Sequence, residues 1–520
     1  MKKIPLIFVV LGIGIMLFIG ALTKENSQSV KFDLLKQRYA RKHIPSVDHA
    51  KLPALQKTFS SPQKVTLACI SCHTESHKEV MQSSHWNWER EEYIEGRGIR
   101  YIGKKNILNN FCIGISTNEE SCNKCHIGYN WTDSTFNFDN AENVDCLACH
   151  DNTNTYVKAS HGYPDTSVNL TNVAQHVGRP LRTDCGTCHF FGGGGNNVKH
   201  GDLEKSLFDT NRDVDVHMAS DGEDMQCVDC HTAENHKMLG KMYSVSSMNR
   251  NRSSCEQCHT ETPHNDDVLN QHISKVACQT CHIPEYAKVN STKLNWDWST
   301  AGKLKDGEPY EEDDSLGNHT YMSIKGSFVW GRNVRPEYIW FNGTANHYLM
   351  GDTTSVTPIR INRLNGEYND PDAKIIPVKI HRAKQPFDPI NKRLIQPKLY
   401  SSQKGEGAFW KDFDWERAAE EGMKAVHLPY SGTCSFVNTE MTWPINHMVS
   451  PKSKAVACGE CHTRADSRLA SLKDFYMPGR DSNSTIETLG IGAMFATLFG
   501  IGIHASARVF VSTKKKEQEA

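Results

Sequence analysis

Cys69-Ile-Ser-Cys72-His73 is the first of seven Cys-x-x-Cys-His motifs between Cys69 and His282, and an eighth copy stands apart at Cys458-Gly-Glu-Cys461-His462. With 18 Cys and 25 His in 520 residues, random placement predicts ~0.03 copies. The motif is the attachment signature of c-type haem, in which two thiols add to the vinyl groups and the histidine ligates the iron. A zinc knuckle or a redox dithiol would not explain a histidine after every pair. The sequence therefore predicts eight covalently bound haems.

The predicted haem-binding residues are the two cysteines and the histidine of each motif. They are Cys69, Cys72, His73; Cys122, Cys125, His126; Cys146, Cys149, His150; Cys185, Cys188, His189; Cys227, Cys230, His231; Cys255, Cys258, His259; Cys278, Cys281, His282; and Cys458, Cys461, His462. The second and third motifs, and the sixth and seventh, are close in sequence, so we expect each of these two pairs of haems to be in contact.

Other histidines are candidates for the second axial position of an iron. His85 lies between small residues and Trp86, a setting typical of such a ligand, and His77 competes with it. His43 and His49 are interpreted as surface residues. The remaining candidates are His200, His217, His236, His264, His272 and His447.

The composition favours a thin protein core. The hydrophobic fraction is 38% and the mean hydropathy is −0.55. We therefore expect a mainly α multihaem cytochrome c with short helices, long irregular loops and haem packing in place of side-chain packing. The net charge of −1 gives no basic bias, which argues against a nucleic-acid partner.

Both ends of the chain carry hydrophobic segments. Ile4 to Leu22 follows two lysines, and Thr488 to Ala507 precedes Lys514-Lys515-Lys516. Each is long enough to span a bilayer, although the first could instead be a cleaved export signal. Basic residues flank both segments on their outer sides, which predicts cytoplasmic termini and an exported haem region. His504 is interpreted as an interfacial residue, with a b-haem ligand or quinol contact as the alternative.

The predicted organisation has five parts. They are a signal anchor or transmembrane helix at residues 1–27, a seven-haem domain at 28–290, a haem-free and partly β insertion at 291–425, the eighth haem segment at 426–480, and a C-terminal transmembrane helix with a basic tail at 481–520. The insertion is expected to be mostly irregular and to cover the haem array.

Several stretches resemble the octahaem tetrathionate reductase family of c-type cytochromes. They are Asn109-Asn110-Phe111-Cys112, Cys146 to Asp151, the four-glycine loop from Gly192 to Asp202, His272 to Pro284, and His447 to His462. The resemblance spans about residues 65–480. It implies a mostly helical fold, a haem arrangement like those of pentahaem nitrite reductases and hydroxylamine oxidoreductase, and reduction of tetrathionate, nitrite or hydroxylamine.

In that family a lysine amine replaces the distal histidine of the second haem, and a cysteine lies near its pocket. Matching the motifs assigns these roles to Lys199 and Cys112, with Lys158 as a second choice for the ligand. A neutral amine must lose its proton to bind iron, so such a site should respond to pH. The family loop has an acid where this chain has Asn196, which leaves the proton donor open among Asp202, Lys199 and water.

The resemblance and the hydrophobic ends together imply an enzyme on the periplasmic face of a bacterial inner membrane. Its electrons would come from a quinol-oxidising b-type cytochrome or another membrane donor, and its substrate would be a small sulfur or nitrogen oxyanion. One alternative is an electron conduit in which every iron has two histidine ligands. Another is hydroxylamine oxidation, which requires a tyrosine cross-link for which Tyr476 is available.

Overall fold

The computed structural model describes residues 47–111, 113–240 and 247–518. Most of its helices are short, and several coincide with the Cys-x-x-Cys-His motifs. In chain order α1 to α14 are Pro62–Ile70, Ser76–Met81, Ser84–Asn87, Glu119–Cys122, Leu147–His150, Leu170–Gln175, Arg182–His189, Cys227–Cys230, Asp267–His272, Cys278–His282, Phe409–Asp412, Trp415–Ala425, Cys458–Cys461 and Ser484–Gln518.

The strands are concentrated after the seventh motif. In chain order β1 to β17 are Arg90–Ile94, Gly98–Ile102, Ala233–Glu234, Lys237–Met238, Thr292–Asp297, Leu304–Lys305, Glu308–Pro309, Glu311–Asp313, His319–Met322, Gly326–Gly331, Glu337–Phe341, Ala345–His347, Ile359–Arg360, Asn362–Leu364, Lys374–Asp388, Arg393–Leu394 and Ser435–Pro444.

The largest sheet has nine strands in the order β13-β17-β15-β5-β10-β9-β8, with β11 and β16 also paired to β15. Its centre is β15, which pairs antiparallel with β17 and parallel with β5. Nearly every residue of β15 is buried or half-buried. Such continuous burial is typical of a central strand covered on both faces, and β-branched residues such as Ile375, Ile376 and Val378 suit it.

A large hydrophobic core packs on this sheet, and Trp296, Trp298 and Trp443 are fully buried in it. The expectation of a mostly irregular insertion therefore understates its order. The thin protein core expected from composition is not found here either, because tryptophan and phenylalanine supply much of the apolar volume. The sheet also extends past residue 425, since β17 lies within the predicted eighth haem segment.

The chain divides into two compact units, one ending at Val456 and one beginning at Ala457. The second unit contains the eighth motif and the helix α14, whose Ser484–Val511 stretch is long and apolar enough to cross a membrane, with mean hydropathy 1.7. The predicted N-terminal membrane segment and His43 lie outside the described residues.

Candidate haem centres and the pocket around Lys199

Cysteine thiols of different motifs are in hydrogen-bond contact within the first unit. These contacts join Cys69 to Cys146, Cys125 to Cys188, Cys185 to Cys227, and Cys255 to Cys278. Because each thiol is a point of haem attachment, the contacts bring together the first and third, second and fourth, fourth and fifth, and sixth and seventh haem sites. The last contact agrees with the expected proximity of the sixth and seventh motifs.

The second motif has two neighbours. Its thiol contact is with the fourth motif, which sequence spacing did not predict. The backbone after it pairs with the backbone before the third motif through the bridge Gly128–Val144. The second haem site therefore lies beside both the third and the fourth.

Five motif histidines face a second histidine ring. The pairs, with the distance between ring centroids, are His73 with His49 at 6.3 Å, His189 with His85 at 6.1 Å, His231 with His447 at 6.3 Å, His259 with His217 at 6.1 Å, and His282 with His264 at 6.1 Å. Two imidazoles that ligate one metal from opposite sides, each at a metal–nitrogen distance of about 2 Å, have centroids about 6 Å apart. The donor set thus fits an iron between each pair.

The orientation of the rings also fits iron ligation. Nδ1 of His150 donates to the carbonyl of Gly178 at 2.7 Å, that of His231 to Leu239 at 2.8 Å, and that of His462 to Pro478 at 2.7 Å. Metal-bound histidines commonly donate their other ring N–H in this way, which fixes the tautomer and directs Nε2 at the metal.

His49 and His85 pair differently from expectation. His49 was interpreted as a surface residue, whereas the structure places it opposite His73. His85 follows the first motif in sequence but faces His189 of the fourth. Neither partner is signalled by chain spacing, because the contacts depend on how distant segments pack. The competing His77 lies in α2, with its Nδ1 buried.

His236 and His272 show the same Nδ1 pattern. Nδ1 of His236 donates to Glu79 at 2.7 Å, and Nδ1 of His272 donates to the carbonyl of Val268 at 2.7 Å. His236 also acts electrostatically on His150 of the third motif, so it lies near that site.

His126 of the second motif has a different environment. It is fully buried, and its ring contacts are with Trp86, Trp88, Trp131, Phe136 and Phe138. Within the described chain, no histidine ring pairs with it. Trp86, the neighbour of His85 in sequence, packs on this imidazole.

His126 also makes its backbone hydrogen bond through the other ring nitrogen. Its Nε2, rather than Nδ1, lies 2.6 Å from the carbonyl of Trp86. Burial lowers the pKa of His126 to about 3, so the ring is neutral and Nε2 donates. A Cβ at position 128 would lie 2.8 Å from the ring, so Gly128 allows this close packing. The geometry of His126 thus differs from that of the paired motif histidines, and its ligation of iron stays a prediction.

A pocket around Lys199 forms where the glycine loop meets the sheet. The Lys199 Nζ lies 4.8 Å from the ring centroid of Trp443, and the His200 ring lies 4.8 Å from the same indole. Phe111 approaches it from another side at 5.9 Å. Gly193, at φ +82°, leaves room for Phe111, whose ring would lie 3.3 Å from a Cβ there. His200, a predicted iron ligand, thus packs on Trp443 in this pocket.

The backbone that carries Lys199 is held by a buried lysine. Lys379 is fully buried in β15, and its Nζ donates to the carbonyls of Val198 at 2.9 Å and Lys199 at 3.0 Å. It also contacts Thr292 Oγ1 at 2.7 Å, and that hydroxyl donates to the Asn197 carbonyl at 2.6 Å. Sequence reasoning missed Lys379 because only the strand pairing brings it to the loop.

Cys112 lies outside the described residues, but the chain on either side of it is held against β15. Asn110 Nδ2 donates to the carbonyl of His381 at 2.8 Å, and Gln385 Nε2 donates to that of Asn109 at 2.5 Å. Phe111 and Ile113 are buried in the core on the sheet. Farther along, Ile115 packs near Cys122 and Cys125. This segment therefore links the pocket to the second motif.

Asp202, a candidate proton donor, is engaged with His447. Its Oδ2 accepts hydrogen bonds from the backbone N–H of Asn446 at 2.8 Å and of His447 at 2.9 Å, and from His447 Nδ1 at 3.1 Å. Burial alone would raise its pKa, but the hydrogen bonds and charge of His447 outweigh burial and lower it. An ionised Asp202 orients the ring opposite His231 and is a poor acid.

Lys158, the second choice for an iron ligand, is ion-paired. Its Nζ lies 2.5 Å from Asp145 Oδ2, and both side chains are buried. Asp145 also accepts from Tyr129 and Tyr156 at 3.0 and 2.9 Å. A protonated, ion-paired amine has no lone pair for a metal, so Lys199 is the better candidate.

Comparison with known proteins supports covalently bound c-type haem. A family model described as "Cytochrome c bacterial" matches residues 293–465. An uncharacterised protein of Archaeoglobus fulgidus is 24% identical over 243 residues, which cover 37% of this chain and 80% of that protein.

A solved structure covers much more of the chain. The crystal structure of an octahaem cytochrome c from Shewanella oneidensis is 42% identical, with a TM-score of 0.77, and the match covers 84% of this chain and 98% of that one. With this identity over almost all of the relative, and with eight attachment motifs, the chain belongs to the octahaem c-type cytochromes.

Proposed function

We propose that this octahaem cytochrome reduces tetrathionate, nitrite or hydroxylamine at its second haem, with Lys199 as an axial ligand and the other haems relaying electrons. One contrast carries the proposal. His126 is bonded through Nε2 to a backbone carbonyl, while Lys199 lies near His189 of the fourth motif, whose Cys188 contacts Cys125 of the second motif. An iron with an open or weakly held axial position is what substrate chemistry needs.

The charge of the pocket supports an anionic substrate. Lys199, Lys293 and Lys379 lie at or near it, and the buried side chain of Lys293 stacks against Trp296 and Phe328 at 4.0 and 3.4 Å. Buried cations with low-dielectric walls concentrate anions and strengthen their binding. Nitrite and tetrathionate fit this requirement.

When bound, the haem supplies the electrons and the metal site for reductive cleavage. Two electrons convert tetrathionate into two thiosulfate ions, whereas reduction of nitrite or hydroxylamine also consumes protons. The chain's own residues position the reaction. Lys379 fixes the Lys199 backbone, and Trp443 and Phe111 exclude water from the lysine side of the pocket.

The five histidine pairs suit electron relay, because two imidazoles would hold the iron of each haem and leave no position for substrate. The same observation favours a second candidate, a pure electron conduit. The two functions differ in the second haem, which responds to added substrate only in the enzyme.

We further propose that the protein is anchored in a bacterial inner membrane with the haem region in the periplasm. The helix α14 and the apolar segment Ile4 to Leu22 support two anchors, with both termini in the cytoplasm. A quinol-oxidising b-type cytochrome would be a suitable donor. Fractionation followed by protease treatment of intact spheroplasts tests this arrangement, because the haem region should be cleaved and the C-terminal tail protected.

Turnover of the purified protein with tetrathionate, nitrite and hydroxylamine, using one reductant, tests the function. Lys199→Ala should convert the second haem to a high-spin or water-ligated form and change turnover. Lys205→Ala removes an exposed lysine a few residues away and is the matched control. If Lys199→Ala retains the spectrum and activity of the wild type, Lys199 is not the ligand. Low-spin spectra that do not respond to any of the three compounds would favour the conduit.

A further inference from the structure

His381 is a buried histidine to which neither the haem motifs nor the ring pairs give a role. It lies in β15, its side chain is fully buried, and its ring centroid is 4.4 Å from that of Phe111. Its carbonyl accepts from Asn110, so the strand and the segment before Cys112 are joined at this residue.

The sheet register places His381 on the pocket side. Lys379 is directly opposite Trp443 across the antiparallel pair, and His381 is opposite Met441. Side chains two residues apart on a strand share a face, and directly opposite residues share it too. His381 therefore shares a face with Lys379 and Trp443, the residues that hold Lys199.

Among the residues that the structure describes, the imidazole of His381 has no hydrogen-bond partner, and both Nδ1 and Nε2 are buried. Nearly all buried polar groups in proteins are hydrogen-bonded, and an unpaired one is costly to bury. An unpaired imidazole in this position indicates a site for a ligand that can accept or donate a hydrogen bond.

The neighbours of His381 define which ligand suits it. Arg382 from its own strand and Lys293 from β5 are positive, and burial holds the pKa of Lys379 well below its usual range. Phe111 and Asn110 from the turn and Met441 from β17 are uncharged. Burial and then these cations hold the pKa of His381 well below its usual range, so the ring is neutral. A neutral imidazole always has one N–H to donate.

We propose that His381 is a substrate-contacting residue that donates a hydrogen bond to an oxygen of an anionic substrate in the Lys199 pocket. This inference rests on the proposed function and names the feature recognised, a small anion with terminal oxygen atoms such as nitrite or the sulfonate ends of tetrathionate. The donor adds no charge, while Lys293 and Arg382 supply the positive field.

Two variants separate this role from simple filling of space. His381→Leu removes the donor but retains an apolar side chain of useful size, and His381→Gln retains an N–H donor. His347→Gln is the matched control, since it changes another buried histidine of the same unit, in β12, which pairs with β14 rather than β15.

The experiment measures kcat and KM for nitrite and tetrathionate and, on the oxidised protein, the nitrite concentration that gives half of the haem spectral change. We expect His381→Leu to raise KM and the half-saturating nitrite concentration about tenfold or more, a range typical of losing a hydrogen bond to a charged group. His381→Gln should recover most of this loss, and His347→Gln should resemble the wild type.

Wild-type KM and nitrite binding in a folded His381→Leu protein with eight haems would overturn the assignment and leave the proposed function intact. Equal loss in the Leu and Gln variants would also overturn it, because shape rather than the donor would then matter. If the wild type neither turns over nor binds any of the anions, both proposals fail.

Discussion

The imidazole of His231 faces that of His447 with ring centroids 6.3 Å apart. His126, the histidine of another copy of the same motif, is instead surrounded by tryptophan and phenylalanine rings. His231 uses Nδ1 for its backbone hydrogen bond, and His126 uses Nε2. One sequence pattern therefore has two structural outcomes. The motif determines where a haem is attached, whereas the packing around the histidine determines which ring nitrogen makes the backbone hydrogen bond.

The two sites also differ in what surrounds them. Around His231 and His447 the partner groups are a backbone carbonyl and Asp202, which orient the two rings. The β sheet instead contributes Lys379, His381 and Trp443 to the pocket that contains Lys199. The sheet therefore supplies several of the side chains around Lys199.

Replacing the two motif histidines in turn is the strongest test of this comparison. His231→Phe should remove an axial ligand and convert one of the eight haems to a high-spin form. His126→Phe should leave the ligand field of the second haem nearly unchanged, because Nε2 of His126 is bonded to the Trp86 carbonyl. Electron paramagnetic resonance of the oxidised proteins measures both outcomes.

Intact mass is the control for these two variants, since both must retain eight covalent haems. A high-spin signal in His126→Phe as large as that of His231→Phe would contradict the expected difference between the two histidines. Iron ligation by His126 would then be established.

Much of the haem binding could be predicted from sequence because the attachment signature is local. Cys, Cys and His must lie within five residues of one another for the chemistry to occur, so the eight sites could be read directly. The Lys199 loop was also predictable, through its resemblance to a known family. The structure places it with Phe111, the residue before Cys112, around one tryptophan.

The partners of the motifs could not be predicted in the same way. His49 with His73 and His85 with His189 depend on long-range packing, and an isolated histidine has no distinguishing local pattern. Lys379 and His381 were missed for a related reason. Their positions follow from the register of β15 against β17, and a one-residue change of register would turn them to the other face.

Trp443→Ala tests whether the indole of Trp443 supports the hydrophobic core beside Lys199. The indole is fully buried and contacts Lys199, His200 and Phe111. Its removal should lower the free energy of unfolding by about 3–5 kcal/mol. Tyr93→Ala, at a half-exposed side chain, should change it by only about 0.5 kcal/mol. Urea unfolding measures both values, and similar losses in the two variants would show that the indole is not part of the core support.

Lys379→Met tests the clamp on the Lys199 loop, that is, the hydrogen bonds that Lys379 donates to the carbonyls of Val198 and Lys199. This substitution should disturb the hydrophobic core less than Trp443→Ala. The carbonyls of Val198 and Lys199 would lose a buried donor, which should cost about 3 kcal/mol of stability. We also expect the optical spectrum of the second haem to become heterogeneous while the paired haems stay low-spin. Lys384→Met, on the same strand, is the control. A homogeneous wild-type spectrum in Lys379→Met would show that the loop is held without the clamp.

Asp202→Asn tests the site of the His231–His447 pair, where the carboxylate of Asp202 orients His447. The pKa of Asp202 is lower in the folded protein than its usual value, so its stabilisation is fully present above about pH 4 and is lost as the pH falls through the folded value. Asparagine should remove this acid-dependent loss. It should also weaken ligation by His447 about 10–100-fold, as is typical when the partner of a metal-bound histidine is changed.

Acid unfolding and a redox titration of the fifth haem measure these two effects, with the exposed Asp209→Asn as the control. The second haem should be unaffected, because the hydrogen bonds of Asp202 go to Asn446 and His447. A changed spectrum at the second haem together with an unchanged fifth haem would reverse the assignment. Asp202 would then act chiefly through Lys379 and His200 of the Lys199 pocket, on which its charge also acts, rather than through His447.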